Sequence, residues 1–277
     1  MKYSIISLFL MLIALDGFGQ EIGDFNLEDM IKEYKMSLDD IGEFNGCGHV
    51  LDGPLYIMKT LENKSLDAAI QFNNFDTDKV GEEVYQQIIE TNTVLDDHWA
   101  KDEIANVVKK LTEQLDPEHK KEFKLKILDS EVVNAYTTYG GYIYLTSGLI
   151  DFVDSYDELA FIIAHEIAHD INLHTQRKII KLLLTSNLLD EMNLNTIRDV
   201  VVGLNTKYTA PFDQIDEYEA DKHGAILAHK AGYDSSKFAD FFKKMEKYDD
   251  KTILKKVSST HPFSEDRINC LETYIAD

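Results

Sequence analysis

The chain has 277 residues, 44% of them hydrophobic and 10% aromatic, which is enough for one large globular unit with a real core. Its 28 basic and 50 acidic residues give a formal charge of −22, which argues against nucleic acid or an anionic membrane surface as a partner. The acidic excess reads first as solubility.

The chain opens with a short basic start, Met1-Lys2, and an apolar run over residues 5–15 that is too short to span a bilayer. Small residues follow at Gly17-Phe18-Gly19. The expectation is a signal peptide over 1–19, cleaved before Gln20, and a secreted or periplasmic mature chain with no stable membrane span. Residues 20–78 read as an N-terminal helical extension of unassigned role. Helical character shows over 27–38 and again over 55–72, around a loop at Asn45-Gly46-Cys47-Gly48-His49. Cys47 and Cys270 are the two cysteines. In an oxidising compartment they can pair, or both can be buried and free.

From residue 79 the pattern is helical to 115. Val84, Ile88, Ile104, Val107 and Leu111 form apolar stripes, with a break near Asp96-Asp97 and Trp99 expected as a packing residue. Asp116-Pro117 ends the run. Phe123, Leu125 and Ile127 then alternate with Lys124 and Lys126, the period of a half-buried strand. A second strand is expected over 132–138, a turn at Gly140-Gly141, and a third strand at Tyr142-Ile143-Tyr144-Leu145-Thr146. A short helix over 148–153 follows.

The decisive stretch is Asp157-Glu158-Leu159-Ala160-Phe161-Ile162-Ile163-Ala164-His165-Glu166-Ile167-Ala168-His169. Ser155 and Glu158 form a capping box ahead of it. Residues four apart share a helix face, so His165 and His169 can offer two imidazoles to one metal ion. Glu166 sits one step round, within reach of a water on that ion. Zinc suits such a site, because it takes imidazole nitrogens and leaves a position open for water.

Residues 171–204 read as leucine-rich helix, either a hairpin packed on the core or a lid over the cleft. Next comes Asp216-Glu217-Tyr218-Glu219-Ala220-Asp221-Lys222-His223-Gly224, on a helix expected to start near Asp213 and stop at Gly232. Glu217 and Asp221 share a face there. Glu217 can be the third zinc ligand, and Asp221 can accept a hydrogen bond from the far nitrogen of a ligand histidine. Glu219 and His223 read as surface or packing residues. Near the end, His261 lies on a loop fixed by Pro262, and Ser264 caps a last helix with Arg267 in its first turns.

These stretches, with Asn134-Ala135 and Gly140-Gly141-Tyr142-Ile143-Tyr144-Leu145-Thr146-Ser147-Gly148-Leu149, resemble the zinc metallopeptidase family of the HtpX heat-shock protease and the CAAX prenyl endopeptidase. The likeness is greatest to its soluble, periplasmic, BepA-like subgroup and covers about residues 79–275. It implies an α+β fold: a mainly helical gluzincin-type metallopeptidase domain over 79–277, with a small sheet beside the active-site helix. It implies one Zn2+ per chain on His165, His169 and Glu217, with Glu166 as general base and Asp221 behind a ligand histidine. It also implies an edge strand at Tyr142, Ile143, Tyr144 and Leu145 that pairs with an extended or unfolded polypeptide substrate. His261 matches the family's His-Pro motif in an oxyanion or regulatory role, and Arg267 matches its trailing arginine. Outer-membrane quality control and prenyl processing are not carried over.

The expected activity is endopeptidase hydrolysis with a zinc-bound water activated by Glu166. Two other readings stand beside it. One is a latent or non-hydrolytic, chaperone-like binder of unfolded chains using the same cleft. The other is a di-metal carboxylate protein on a helical bundle, since Glu-x-x-His also occurs there.

Overall fold

The computed structural model describes residues 59–60, 62–64, 66–67, 77–185, 214–247 and 265–274. Two helices come first, α1 (Thr77–Thr91) and α2 (Lys101–Glu113). Strands β1 (Lys124–Leu128), β2 (Ala135–Thr138) and β3 (Tyr142–Thr146) follow. Then come α3 (Ser147–Phe152), α4 (Tyr156–Ile171), α5 (His174–Thr185), α6 (Gln214–Lys230), α7 (Phe238–Lys247) and α8 (Glu265–Tyr274). The architecture is α+β and mainly helical, with one small sheet directly ahead of α4, as the sequence leads one to expect.

The strand order is β1-β3-β2. β1 runs parallel to β3, from Lys124 opposite Tyr142 to Leu128 opposite Thr146. β2 runs antiparallel to β3, from Ala135 opposite Leu145 to Thr138 opposite Tyr142. The expectation of an edge strand at Tyr142, Ile143, Tyr144 and Leu145 is therefore corrected: β3 is the central strand and is paired on both sides. All five of its residues are buried. Ile143 and Leu145 point into the main core, while Tyr142 and Tyr144 pack with Val80, Val84 and Ile88 of α1 on the other face. A strand covered on both faces reads as a near-continuous apolar run, and that was the signal in its sequence. The outer side of β1 is occupied, because Leu95 N–H donates to Ile127 O and Asp129 N–H to Thr93 O. β2 forms the other edge; among the described residues no strand pairs with its second side. β2 packs against α4.

α4 is the spine of the molecule. Every residue from Glu158 to Asp170 is buried. The Ser155 hydroxyl accepts from Glu158 N–H at 3.2 Å, an N-cap worth about 1 kcal/mol. The return half of the capping box shifts by one residue, and Glu158 Oε2 accepts from Asp154 N–H at 3.4 Å. Phe161 stacks on Phe238 of α7, with ring centroids 5.3 Å apart, and seals one side of the helix. At the other end Asp170 Oδ1 accepts from Gly141 N–H at 3.1 Å, and Lys121 pairs with Oδ2. Gly141 has φ +82, and an added Cβ would meet Glu122 O at 2.8 Å. The Gly-Gly turn thus couples the sheet to the residue next to His169.

Three further expectations shift. The second strand starts at Ala135 rather than 132, because Asn134 N–H donates to the Thr146 side chain at 3.0 Å. The helical run from 171 is interrupted at once: Asn172 ends α4, Leu173 takes a positive φ of 61, and α5 starts at His174. Trp99 is 71% exposed, not packed. Residues 186–204, like the segments at 27–38 and 45–49, lie outside the described residues. Cys270 is buried and disulfide-bonded, in a chain with one other cysteine.

Candidate active site

α4 and α6 cross in close contact, and the sequence permits it through small residues. Ala164 and Ala168 on α4 and Ala220 and Ala225 on α6 are fully buried. Gly224 is the tightest point: a Cβ there would lie 2.8 Å from His165 N and 2.9 Å from His165 Cα. α6 carries acidic residues on the buried side as well as the outer one. Asp216 is 6% exposed, and Glu217 and Asp221 are 0% exposed. Their charge explains why they resemble a solvated face in sequence, but the crossing removes them from water.

The crossing brings three donors together. His165 Nε2 and His169 Nε2 are 3.0 Å apart. Glu217 Oε1 lies 3.3 Å from His169 Nε2, and Oε2 lies 3.7 Å from His165 Nε2. Ligand atoms at about 2.0–2.2 Å from a tetrahedral ion sit roughly 3.3–3.6 Å apart, so the spacing fits one small divalent ion. Burial lowers the His169 pKa well below its ordinary value, against the pull of Glu217, which favours the neutral imidazole that a metal needs. Glu166, 1% exposed, stands beside His165 on the same helix.

Behind His165 lies a charged brace. Asp221 Oδ1 is 3.0 Å from His165 Nδ1. Arg267 of α8 donates through Nε to Asp221 Oδ2 at 2.6 Å and through Nη2 to Oδ1 at 2.8 Å, a bidentate pair. Its Nη1 reaches Glu217 Oε2 at 2.7 Å. Burial alone would raise the Asp221 pKa, but the charge and hydrogen bonds of Arg267 and the bond to His165 hold it below its ordinary value. Burial opposes the Arg267 charge, and Asp221 and Glu217 outweigh it, raising its pKa. Arg267 is 1% exposed and faces these carboxylates. His261 lies outside the described residues.

Behind His169 the arrangement differs and involves residues that the sequence reading passed over. His169 Nδ1 is 3.0 Å from His174 Nδ1. His174 Nε2 is 3.1 Å from Glu219 Oε2 and 3.6 Å from Asp216 Oδ1. The other Asp216 oxygen pairs with Lys59 at 3.0 Å. His223 Nδ1 contacts the Asn172 side-chain amide at 2.9 Å. Asp216, Glu219 and His223 are spaced i, i+3, i+7, a second stripe beside Glu217 and Asp221, so helical spacing could have grouped them. His174 carries only a weak signal, a lone histidine at the start of a helix.

Two imidazoles one helical turn apart, a carboxylate from a crossing helix and a glutamate beside the first imidazole define a metallopeptidase. Residues 98–275 match peptidase family M48, and the chain belongs to that family. It is 28% identical over 202 residues to a putative beta-barrel assembly-enhancing protease of Vibrio cholerae, covering 67% of this chain and 41% of that one. It is 28% identical over 170 residues to the human mitochondrial metalloendopeptidase OMA1, covering 54% of this chain and 32% of the relative. The beta-barrel assembly-enhancing protease of Escherichia coli is 23% identical over 163 residues, covering 53% and 33%. The chain spans less than half the length of these relatives. No described helix is long and apolar enough to cross a membrane.

Proposed function

We propose that the chain is a zinc endopeptidase acting on extended or unfolded polypeptides, with His165, His169 and Glu217 as the zinc ligands and Glu166 as general base. The observation that carries this reading is the convergence of the two Nε2 atoms and the Glu217 carboxylate at 3.0–3.7 Å from one another. Zinc held there would lower the pKa of a bound water toward about 7 and polarise the scissile carbonyl. Glu166 takes the proton from the attacking water and hands it to the leaving amine. Asp221 accepts from His165 Nδ1–H and so leaves Nε2 free to ligate. Arg267 acts through Asp221 and Glu217 and holds both carboxylates in place; it is a positioning residue rather than an oxyanion donor. His261, four residues ahead of α8 in sequence, supplies the oxyanion or regulatory contact.

Substrate main chain adds to the outer side of β2, residues Ala135–Thr138, the strand that packs on α4. Main-chain pairing gives affinity with little sequence preference, which suits a protease of unfolded chains. Residues 79–277 are the peptidase unit and 20–78 an N-terminal extension, of which Lys59 pairs with Asp216 and Asp67 with Arg177 at 2.8 Å. The compartment is secreted or periplasmic after removal of 1–19.

The test is cleavage of a peptide library by the chain as isolated, after chelation, after zinc return, and as Glu166→Gln. Chelation should abolish cleavage and zinc restore it. Glu166→Gln should retain zinc while cleavage falls by about 10²–10⁴-fold. Cleavage by the zinc-loaded variant at the unmodified rate would remove Glu166 from the mechanism. A fully zinc-loaded chain that cleaves nothing would favour non-hydrolytic binding of unfolded chains.

A further inference from the structure

We infer that His174 is the positioning residue for the ligand His169, and that a proton-ordered chain runs from His169 through His174 to Glu219. This rests on the ligand assignment above. The argument is one of counting protons. His169 faces His165 and Glu217 with Nε2. A neutral imidazole that ligates through Nε2 must carry its proton on Nδ1. That Nδ1 lies 3.0 Å from His174 Nδ1, with both rings buried, so His174 Nδ1 must be the acceptor. The His174 proton is then on Nε2, which donates to Glu219 Oε2 at 3.1 Å. Each tautomer is fixed by its neighbour, and the carboxylate closes the chain.

The same count decides what else this cluster can do. His174, Asp216 and Glu219 offer three potential ligand atoms within 4.8 Å of one another, the pattern of a second cation site. A cation on His174 Nε2 would place that ring's proton on Nδ1, facing the Nδ1–H of His169. One of the two protons would have to leave, making an imidazolate. With neutral histidines the two uses of His174 exclude each other, so the cluster serves the first metal and does not hold a second.

An imidazole in this position also has an electrostatic reason. The buried pocket already contains Glu166, Glu217 and Asp221. A carboxylate directly on His169 would add another anion at the closest point. The neutral ring relays the hydrogen bond outward instead, to a glutamate side chain 20% exposed, where water shares its charge.

Chelator competition for zinc on the full chain tests this, with His174→Phe, His174→Asn and His174→Gln. Phenylalanine removes the acceptor and should weaken zinc about 10–100-fold. The Asn oxygen replaces Nδ1 and keeps the acceptor for His169, so His174→Asn should stay within about threefold of the parent. The Gln amide reaches the Nε2 position instead and should fall nearer to Phe. Should His174→Phe not fold, the order of Asn above Gln carries the test. Nitrogen NMR of the zinc-loaded chain should find His174 unprotonated at Nδ1 and protonated at Nε2, with one zinc per chain. Equal zinc affinity across the series, Gln equal to or above Asn, a protonated Nδ1, or a second zinc lost with His174→Phe would each overturn the inference alone. Failure of the parent chain to bind zinc would overturn the ligand assignment beneath it.

Discussion

The two imidazoles of the site are held in opposite ways. His165 backs onto Asp221, which is gripped by Arg267, and all three are nearly or wholly sealed from water. His169 backs onto a second imidazole, His174, and the carboxylate beyond it is partly in solvent. The first arrangement is a closed ionic knot in which each charge depends on another. The second is a hydrogen-bonded relay through one imidazole to a glutamate at the edge of the site. A buried ion pair costs desolvation and returns it only while every partner is present, whereas a relay that ends on a partly solvated group loses little beyond its own hydrogen bonds. The His165 side should therefore fail abruptly and globally, and the His169 side gradually and locally.

Breaking the ionic knot gives the largest expected effect. Arg267→Met strands Asp221 and Glu217 as buried carboxylates and should cost about 3–5 kcal/mol, read as a lowered denaturation midpoint of the metal-free chain. A loss confined to zinc affinity, with the midpoint unchanged, would show that the arginine is not structural. Gly224→Ala comes next. Its methyl group would press on the His165 backbone, where neither helix can yield by turning a side chain. Overpacking of this kind costs about 1–3 kcal/mol, and it should also weaken zinc by spreading Glu217 from the histidine pair. Gly232→Ala is a useful contrast: Gly232 has φ +87 but nothing within 4 Å, so any loss there should be conformational strain alone, with zinc affinity intact.

The contrast between the two sides also explains what could be read from sequence. The grouping of His165, His169, Glu217 and Asp221 was legible because helical spacing converts directly into a shared face, and α4 and α6 are regular helices. The sheet beside α4 was legible from alternation at Phe123–Ile127 and from the Gly-Gly turn. The position of β3 within that sheet was not, since strand order depends on pairing partners and no local pattern in Tyr142–Thr146 encodes them. Arg267 resembled a catalytic cation because a lone arginine near a motif has no visible partner; its partners lie 46 and 50 residues away in sequence on α6. His174 and Glu219 were missed for the same reason. Their relation exists only once α5 has turned back at Leu173 against the outer stripe of α6.

The smallest effects give the finest discrimination between the two sides. Asp221→Asn keeps the shape but removes the charge that Arg267 holds, and its amide must turn a donor toward either Arg267 or His165. Zinc affinity should fall about 10–100-fold. Glu219→Gln also removes a charge, but the amide oxygen can still accept from His174 Nε2–H, and the side chain is already partly solvated. Its cost should be no more than about 1 kcal/mol, under tenfold in zinc affinity. The two substitutions are the same carboxylate-to-amide change made at different removes from the ligand histidines, one side chain beyond His165 for Asp221 and two beyond His169 for Glu219. Equal losses would mean that the protein responds to the formal charge around the site and not to how each histidine is held. A large loss for Asp221→Asn with a small one for Glu219→Gln would mean that the knot carries the geometry and the relay only orients a ring.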